Sequence, residues 1–160
     1  GSIIQPEMTS CGLNGGPLKG EGEYPAYLAC NLFCKDEEMY TAPGGMWMDS
    51  RFPKITQDGR DGDEEVGYIQ NFRDQATAGF KYFDCKGITS VSVSIRGYGH
   101  GEFHVKTAWD GESLGSIPVH FANIWLTHTA EIHIPDGVHA LYFTYQGGGS
   151  ISLRSFTLNH

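Results

Sequence analysis

Apolar residues recur at every second position through most of the second half of the chain. In SVSVSIRG, Val91, Val93 and Ile95 fall on one side and serines on the other, and EFHVKT, AEIHI and VHALYFTY repeat the pattern. Successive side chains of a β-strand point to opposite faces, so this period predicts strands with one buried face. No segment shows a long 3.6-residue period with helix caps, which argues against a parallel α/β fold with helical crossovers.

Turn signals separate these runs. GYGHG, WDG, PDG and GGG stand between them, and the chain holds 22 glycines and 7 prolines with only 19% charged residues. Strands at roughly 8–12-residue spacing with turns between them are typical of a sandwich or barrel. We therefore predict an all-β, antiparallel β-sandwich. Its last two runs, VHALYFTY and SISLRSFTL, are predicted to form a closing hairpin.

The first 65 residues have weaker periodicity. IIQPEM is predicted to be a first strand, and EYPAYLACNLF a second strand or a short helix. Residues 34–65 are interpreted as a long ordered loop, because long loops that carry aromatic residues pack on the body of a domain. Gly1 and Ser2 match the remainder of a cleaved expression tag. Residues 3–160 are then one domain, with an N-terminal strand and loop region at 3–63 and a core sandwich at 64–158.

Charge and cysteine content exclude several classes of partner and site. The net charge of −8 argues against nucleic acid or an anionic membrane as partner, and no 18-residue apolar run is present. Of the four cysteines, only Cys30 and Cys34 are close in sequence, whereas a structural zinc site needs two close pairs. Two disulfides remain an alternative, but reduced cysteines in the core are the preferred interpretation, because a chain of this length does not need bridges.

No catalytic motif accompanies the titratable residues. The seven histidines show neither an HExxH spacing nor a nucleophile–His–Asp grouping. The acidic run QDGRDGDEE offers oxygen ligands with glycines between them, which resembles part of a calcium loop but lacks the 12-residue pattern that ends in Glu. Calcium is therefore a weak expectation, and a solvated acidic loop is the alternative. The candidate ligands are Asp58, Asp61 and Asp63.

Aromatic residues outside the alternating runs are the more informative chemistry. Sugar rings present apolar C–H faces that stack on aromatic side chains, while their hydroxyls need a few fixed polar groups. Trp125 lies in FANIWLT, between two predicted strands, and Trp47 and Tyr40 lie in the long loop. Structural packing remains the alternative for each of them.

Several segments together resemble family 6 carbohydrate-binding modules. They are VGYIQNFRDQATAGFKYFD, DGESLGSIPV, a Trp, IPDGVHALYFTY and a final SFTL, which cover residues 64–158. The preceding part, with MTSCGLNGGPLKGEGEYPAYLACNLFCK and MWMDSRFPKITQDGRDGDE, resembles the stretch before such a module at the C-terminus of family 43 glycoside hydrolases of the arabinofuranosidase and xylosidase type.

This resemblance implies a jelly-roll-like sandwich that holds a sugar between two aromatic residues at one end. It assigns the second aromatic to Trp125, with Phe121 as the alternative, and the first to the neighbourhood of Thr77, with Tyr68 or Phe72 as alternatives. Asn71 is a candidate polar partner. A family asparagine that bonds a sugar hydroxyl would fall at Ser150 or Ser152, where this sequence has serine instead. A second family site lies on a concave sheet face, near Tyr142, Tyr145 or Lys106. A structural calcium in the family would use Glu7.

The resemblance implies a non-catalytic module that binds plant cell-wall polysaccharide, with xylan or arabinoxylan first and β-glucan next. Its partners would be that glycan and the catalytic domain of a parent glycoside hydrolase. The alternative is an accessory domain that packs against the family 43 catalytic domain without its own affinity for glycans. Substitution of Trp125 by alanine would separate the two.

Overall fold

The computed structural model describes residues 17–29, 31–33, 54–57, 67–108 and 111–160. These residues form twelve β-strands and a single 3₁₀ turn. The strands are β1 (Leu18–Lys19), β2 (Gly22–Pro25), β3 (Asn31–Phe33), β4 (Lys54–Gln57), β5 (Gly67–Phe72), β6 (Thr77–Cys85), β7 (Ile88–Gly97), β8 (His100–Lys106), β9 (Gly115–Val119), β10 (Ala122–Ile134), β11 (Gly137–Gly148) and β12 (Ile151–Asn159). The 3₁₀ turn is Ala26–Leu28.

The strands form two sheets that face each other. The first sheet has the order β1-β6-β11-β8-β9, with β3 also paired to β6. The second sheet has the order β10-β7-β12-β5-β4, with β2 also paired to β12. All these pairs are antiparallel except β1 with β6. The predicted antiparallel β-sandwich is confirmed. Within the described ranges, no helix has the length and apolar character needed to cross a membrane.

The core lies between the sheets and is built from the alternating residues. Val91, Val93 and Ile95 of β7 are completely buried, as the sequence predicts. From β11, Leu141, Phe143 and Tyr145 meet them with no exposed surface. Full burial of such an aliphatic or aromatic side chain contributes about 1.5–3 kcal/mol. The two-residue period therefore places the inner-facing residues of β7 and β11 correctly. The expectation of one buried face is wrong for both strands, because Ser92, Ser94, Tyr142 and Thr144 on the other face are buried as well.

The predicted closing hairpin is wrong. β11 pairs with β6 and β8 in the first sheet, whereas β12 pairs with β7, β5 and β2 in the second. The glycines between them carry the chain from one sheet to the other. Gly149 has φ +73°, and a Cβ there would lie 2.7 Å from the Tyr98 carbonyl oxygen, so only glycine fits this crossing. Among the described strands, β8 and β9 do form a hairpin-like antiparallel pair.

Three other local predictions need correction or completion. EYPAYLACNLF contains both predicted alternatives, because β2 is followed by the 3₁₀ turn and then by β3. Lys54–Gln57, predicted as loop, is a strand that pairs with β5; four residues are too few to show a period. Trp125 lies within β10 rather than between strands. The segment IIQPEM and most of the predicted long loop lie outside the described residues.

Cys85 supports the expectation of reduced cysteines in the core. It is buried and forms no disulfide, and burial raises the pKa of its thiol to about 11, with smaller contributions from Asp84 and Asp136. A thiol with such a pKa is almost entirely protonated at neutral pH and is therefore unreactive. The other three cysteines lie outside the described residues.

Candidate functional site

A cleft opens where four neighbouring strands of the second sheet begin or end. It has a volume of about 590 Å³ and is bounded by β5, β7, β10 and β12 and by the turns next to them. Five of the nine residues that line it are asparagine, glutamine or serine. The lining residues are Gln70, Asn71, Arg96, Gly97, Tyr98, Ala122, Asn123, Ser150 and Ser152.

The floor of the cleft follows from the register of the strands. Gly97 is paired with Ala122 of β10 on one side and with Ile151 of β12 on the other. Next to this row, Arg96 and Ser152 form a cross-strand pair. Because Ile95 points into the core, its neighbour Arg96 points to the outer face of the sheet. The cleft therefore continues onto the outer face of the second sheet.

Asn71 lines the cleft and connects two of its elements by hydrogen bonds. Its φ of +66° is a left-handed conformation, which asparagine tolerates better than most residues. Its Oδ1 atom accepts hydrogen bonds from Nε of Arg73 at 3.0 Å and from Oγ of Ser150 at 3.3 Å. These bonds join the end of β5 to the turn before β12. An amide and a hydroxyl are thereby held in place on the cleft surface.

Two hydrogen bonds hold the glycine-rich crossing between β11 and β12 in place. The Tyr145 hydroxyl donates to the Gly148 carbonyl at 2.6 Å, and the Gly147 N–H donates to Oδ1 of Asp74 at 3.1 Å. Burial raises the pKa of Tyr145, and the negative charge of Asp74 raises it further, so the hydroxyl remains a donor at all ordinary pH values. This anchoring fixes the position of Ser150 in the cleft.

Two exposed aromatic side chains stand at the edge of the cleft. Tyr98 is 72% exposed and Phe121 is 48% exposed, and their ring centroids lie 5.1 Å apart at an interplanar angle of 47°. Tyr98 lines the cleft, and Phe121 directly precedes Ala122, which also lines it. Large aromatic surfaces that remain in water next to polar groups are typical of ligand-binding sites.

Trp125 and Tyr68 form a second aromatic pair, with arginines packed against it. Their ring centroids are 5.2 Å apart with edge-to-face geometry. The Arg96 guanidinium carbon lies 4.4 Å from the Trp125 centroid and 5.2 Å from that of Tyr68. The Arg154 guanidinium carbon lies 5.1 Å from Trp125. Trp125 is half-buried and Tyr68 is 8% exposed, so both rings serve mainly as packing partners for the arginines. A sugar-stacking role for Trp125 stays a prediction.

The structure brings several of the predicted site residues together. Asn71, Ser150 and Ser152 line the cleft, and Phe121 stands beside it. Two predictions are wrong: Phe72 is a completely buried core residue, and Thr77 is buried with its hydroxyl 2.8 Å from that of Thr144. Residues that point between the sheets cannot touch a ligand in the folded protein.

The remaining predicted residues fall elsewhere. On the first sheet, Tyr142 and Lys106 are cross-strand neighbours, whereas Tyr145 faces the core. Trp47, Tyr40 and the candidate calcium ligands Glu7, Asp58, Asp61 and Asp63 lie outside the described residues. Within the described part of the chain, no group of three or more His, Cys, Asp or Glu residues could hold a metal ion. Calcium binding by the acidic run stays a prediction.

Sequence reasoning missed Tyr98, Arg96 and Asn123. Tyr98 lies between Gly97 and Gly99, and the sequence GYGHG predicts only a turn at this position. A large aromatic residue flanked by glycines at the end of an alternating run is the signal that could have identified it. Arg96 gave no signal, because an arginine at the end of a half-buried strand is an ordinary solvated residue in the sequence.

Comparison with known proteins gives one close relative in sequence and several in fold. No family model matches the sequence. A protein of Thermoclostridium stercorarium called xylosidase/arabinosidase is 67% identical over 158 residues, which are 99% of this chain. The chain spans 33% of the length of that relative.

Two solved structures illustrate the likeness in fold. One is a family 6 carbohydrate-binding module of Clostridium stercorarium in complex with cellobiose, with a TM-score of 0.69 and 16% identity over 91% of this chain and 98% of that one. The other is a family 43 arabinoxylan arabinofuranohydrolase of Bacillus subtilis in complex with cellotetraose, with a TM-score of 0.64 and 16% identity over 91% of this chain and 28% of that one. The chain therefore has the β-sandwich fold of the family 6 carbohydrate-binding modules.

Proposed function

We propose that the chain is a non-catalytic module that binds a plant cell-wall polysaccharide in the cleft beside Tyr98 and Phe121. The observation that carries this proposal is the juxtaposition of two exposed aromatic rings with a lining of amides and hydroxyls. Aromatic rings accept the apolar face of a sugar, and fixed amides and hydroxyls pair with its hydroxyl groups. This combination suits the surface of a polysaccharide chain.

The cleft predicts weak binding. It is an open surface feature rather than an enclosed cavity, and it offers two stacking rings with a small number of polar partners. Each hydrogen bond to a sugar replaces one to water, so its net contribution is about 1 kcal/mol. We expect dissociation constants from roughly micromolar to millimolar.

The relatives support plant polysaccharide as the target class. The sequence relative carries the name xylosidase/arabinosidase, and the two solved structures hold cellobiose and cellotetraose. Xylan or arabinoxylan is therefore the first candidate and β-glucan the second. The partner within the same polypeptide would be a glycoside hydrolase catalytic domain, whose local concentration at its substrate the module would raise.

A second candidate function rests on a separate observation. Ile124 and Leu126 of β10 are exposed, and they follow Phe121 along the edge strand of the second sheet. Apolar residues that cluster on an edge strand suit contact with another protein surface. The chain would then be an accessory domain that packs against a hydrolase catalytic domain without its own affinity for glycans.

The test is affinity gel electrophoresis of the wild-type chain in soluble arabinoxylan, xyloglucan and mixed-linkage β-glucan, followed by titration calorimetry with the polymer that retards it. Tyr98→Ala and Phe121→Ala should each weaken binding about tenfold, because each removes a stacking surface. The matched control is Val138→Ala, which truncates an exposed apolar residue at the opposite end of the sandwich and should bind like the wild type. Free migration of the wild type in every gel would refute glycan binding and favour the packing alternative.

A further inference from the structure

Two connections between the sheets run next to each other at the end of the sandwich where the cleft opens. Residues 98–99 lead from β7 in the second sheet to β8 in the first, and residues 120–121 lead from β9 in the first sheet to β10 in the second. The register of β8 and β9, in which Gly101 pairs with Val119, brings His100 and His120 to adjoining strand ends. Both connections therefore carry ring side chains to the same end of the molecule.

Four of these side chains form a continuous ring row, which consists of Tyr98, Phe121, His100 and His120. The ring centroid of Phe121 lies 5.1 Å from that of Tyr98 and 6.5 Å from that of His100. The His100 and His120 centroids lie 6.4 Å apart. All four side chains are exposed. Tyr98 lines the cleft, whereas the two histidines lie beyond its lining, so the row leads from the cleft onto the surface next to it.

The backbone under the ring row is packed tightly against the core. Gly99 is buried, and a Cβ built on it would lie 2.5 Å from the Tyr145 hydroxyl oxygen and 2.6 Å from Cγ2 of Ile151. Tyr98 and His100 flank this glycine, so core packing fixes the backbone positions from which their rings extend. A surface whose backbone is fixed before the ligand arrives loses less conformational entropy on binding.

The ring row has the chemistry of a sugar-binding surface. The planes of Phe121 and His100 are 29° apart, and at a centroid distance of 6.5 Å neither ring covers the face of the other, because stacked faces lie about 3.5–4.0 Å apart. An imidazole combines an apolar body with a polar edge, so a histidine can contact the C–H face of a sugar and also bond to a hydroxyl. Each step along the row is close to the length of one sugar in a β-linked main chain.

We propose that His100 and His120 form a second sugar subsite, through which the module binds an extended segment of a polysaccharide main chain. The inference rests on the proposed function, because the same main chain occupies the cleft beside Tyr98 and Phe121. The glycan passes from the polar groups of the cleft across Phe121 to the imidazoles. The affinity therefore depends on the number of linked sugars.

Amide NMR titrations with xylobiose, xylotetraose and xylohexaose, and with the cello-oligosaccharides of the same lengths, test the second subsite. They measure dissociation constants into the millimolar range. In the series that the wild-type chain binds more tightly, the affinity should increase about tenfold from the disaccharide to the hexasaccharide, because the longer ligand contacts further rings. The amide signals of His100 and His120 should shift with the hexasaccharide and not with the disaccharide.

His100→Ala should lower the affinity for the hexasaccharide about fivefold and leave that for the disaccharide unchanged. His100→Phe keeps a ring face and should retain most of the affinity for the hexasaccharide. The matched control is His133→Ala, because His133 is an exposed histidine of β10 at the opposite end of the sandwich. Thermal unfolding checks that each variant is folded.

Equal affinity of the wild type for all three lengths would overturn the second subsite and leave glycan binding in the cleft intact. A loss in His100→Ala that is the same for short and long ligands would also overturn it, since His100 would then only support Phe121. Retardation of the wild type by polymers without binding of any oligosaccharide would count against the subsite in the same way. Absence of binding to polymers and oligosaccharides alike would overturn both the subsite and the proposed function.

Discussion

Gly97 ends β7 at the floor of the cleft, between Ala122 of β10 and Ile151 of β12. Its φ is +142°, and a Cβ built on it would lie 2.8 Å from both the Ile151 Cα and the Ser150 carbonyl oxygen. Both contacts are with backbone or with the first atoms of a core residue, so neither can move away cheaply. The absence of a side chain at Gly97 therefore allows the backbone of β12 to lie this close to β7.

Gly97→Ala should destabilise the chain by about 3 kcal/mol, since it adds an unfavourable backbone conformation to a steric clash. Urea unfolding monitored by tryptophan fluorescence measures this change. The control is Gly148→Ala, because a Cβ at Gly148 meets nothing within 4 Å; its stability should change by less than about 0.5 kcal/mol. Equal stability of Gly97→Ala and the wild type would contradict the close approach of the two strands.

Arg96 and Trp125 show how a residue's role depends on its neighbours. Both are on the outer face of the second sheet, on adjacent strands, and their 4.4 Å contact makes each a packing partner of the other. A cation–π contact of this kind contributes about 0.5–2 kcal/mol. The aromatic residues with the most exposed surface at the cleft are instead Tyr98 and Phe121.

At the scale of the elements, β12 is the strand that joins the two layers. It pairs with three strands of the second sheet, and its Phe156 reaches across to the first sheet. The Phe156 centroid lies 4.7 Å from that of Phe80 in β6 and 4.8 Å from that of Phe143 in β11. Aromatic pairs at these distances contribute beyond the area that they bury.

Phe156→Ala should lower the free energy of unfolding by about 4 kcal/mol, because it leaves a cavity in a completely buried aromatic cluster. Chemical denaturation provides the measurement. Phe121→Ala removes the same atoms from a half-exposed position and should change stability by less than about 1 kcal/mol. A large loss of stability in Phe121→Ala would mean that Phe121 belongs to the core and not to the edge of the cleft.

At the scale of the whole molecule, the two candidate functions predict different behaviour next to a catalytic domain. A module that binds glycans acts on the enzyme through effective concentration at a polymer, and this effect vanishes for a small soluble substrate. A domain that packs against the catalytic domain through Ile124 and Leu126 affects both kinds of substrate, because it stabilises the enzyme itself.

The xylosidase/arabinosidase relative contains a segment that is 67% identical to this chain. We expect that removing this segment from the relative will slow hydrolysis of insoluble arabinoxylan several-fold. The rate on an aryl glycoside should remain unchanged. Initial rates on both substrates, with and without the module, give the measurement. Parallel losses on both substrates, together with a lower melting temperature of the shortened enzyme, would support the packing function instead.

The sequence by itself determined most of the strands in the second half of the chain and which of their residues face the core. Val91, Val93 and Ile95 in β7, and Leu141 and Phe143 in β11, are buried as their spacing predicts. This works because the two-residue period of a strand is a local property of the backbone, and each apolar face has to leave water wherever the strand is placed. Of the positions that the family resemblance named, Asn71, Ser150 and Ser152 line the cleft, and their contact with a glycan stays a prediction.

Only the tertiary structure decided which sheet each strand joins and which side chains meet at the cleft. β11 and β12 are adjacent in sequence and lie in different sheets, and Phe72, one residue beyond Asn71, faces the core. The contact of Arg96 with Trp125 joins residues from two strands whose register includes an irregularity between Ala122 and Leu126. Strand pairing and such β-bulges depend on contacts between distant segments, and the sequence of one segment does not contain them.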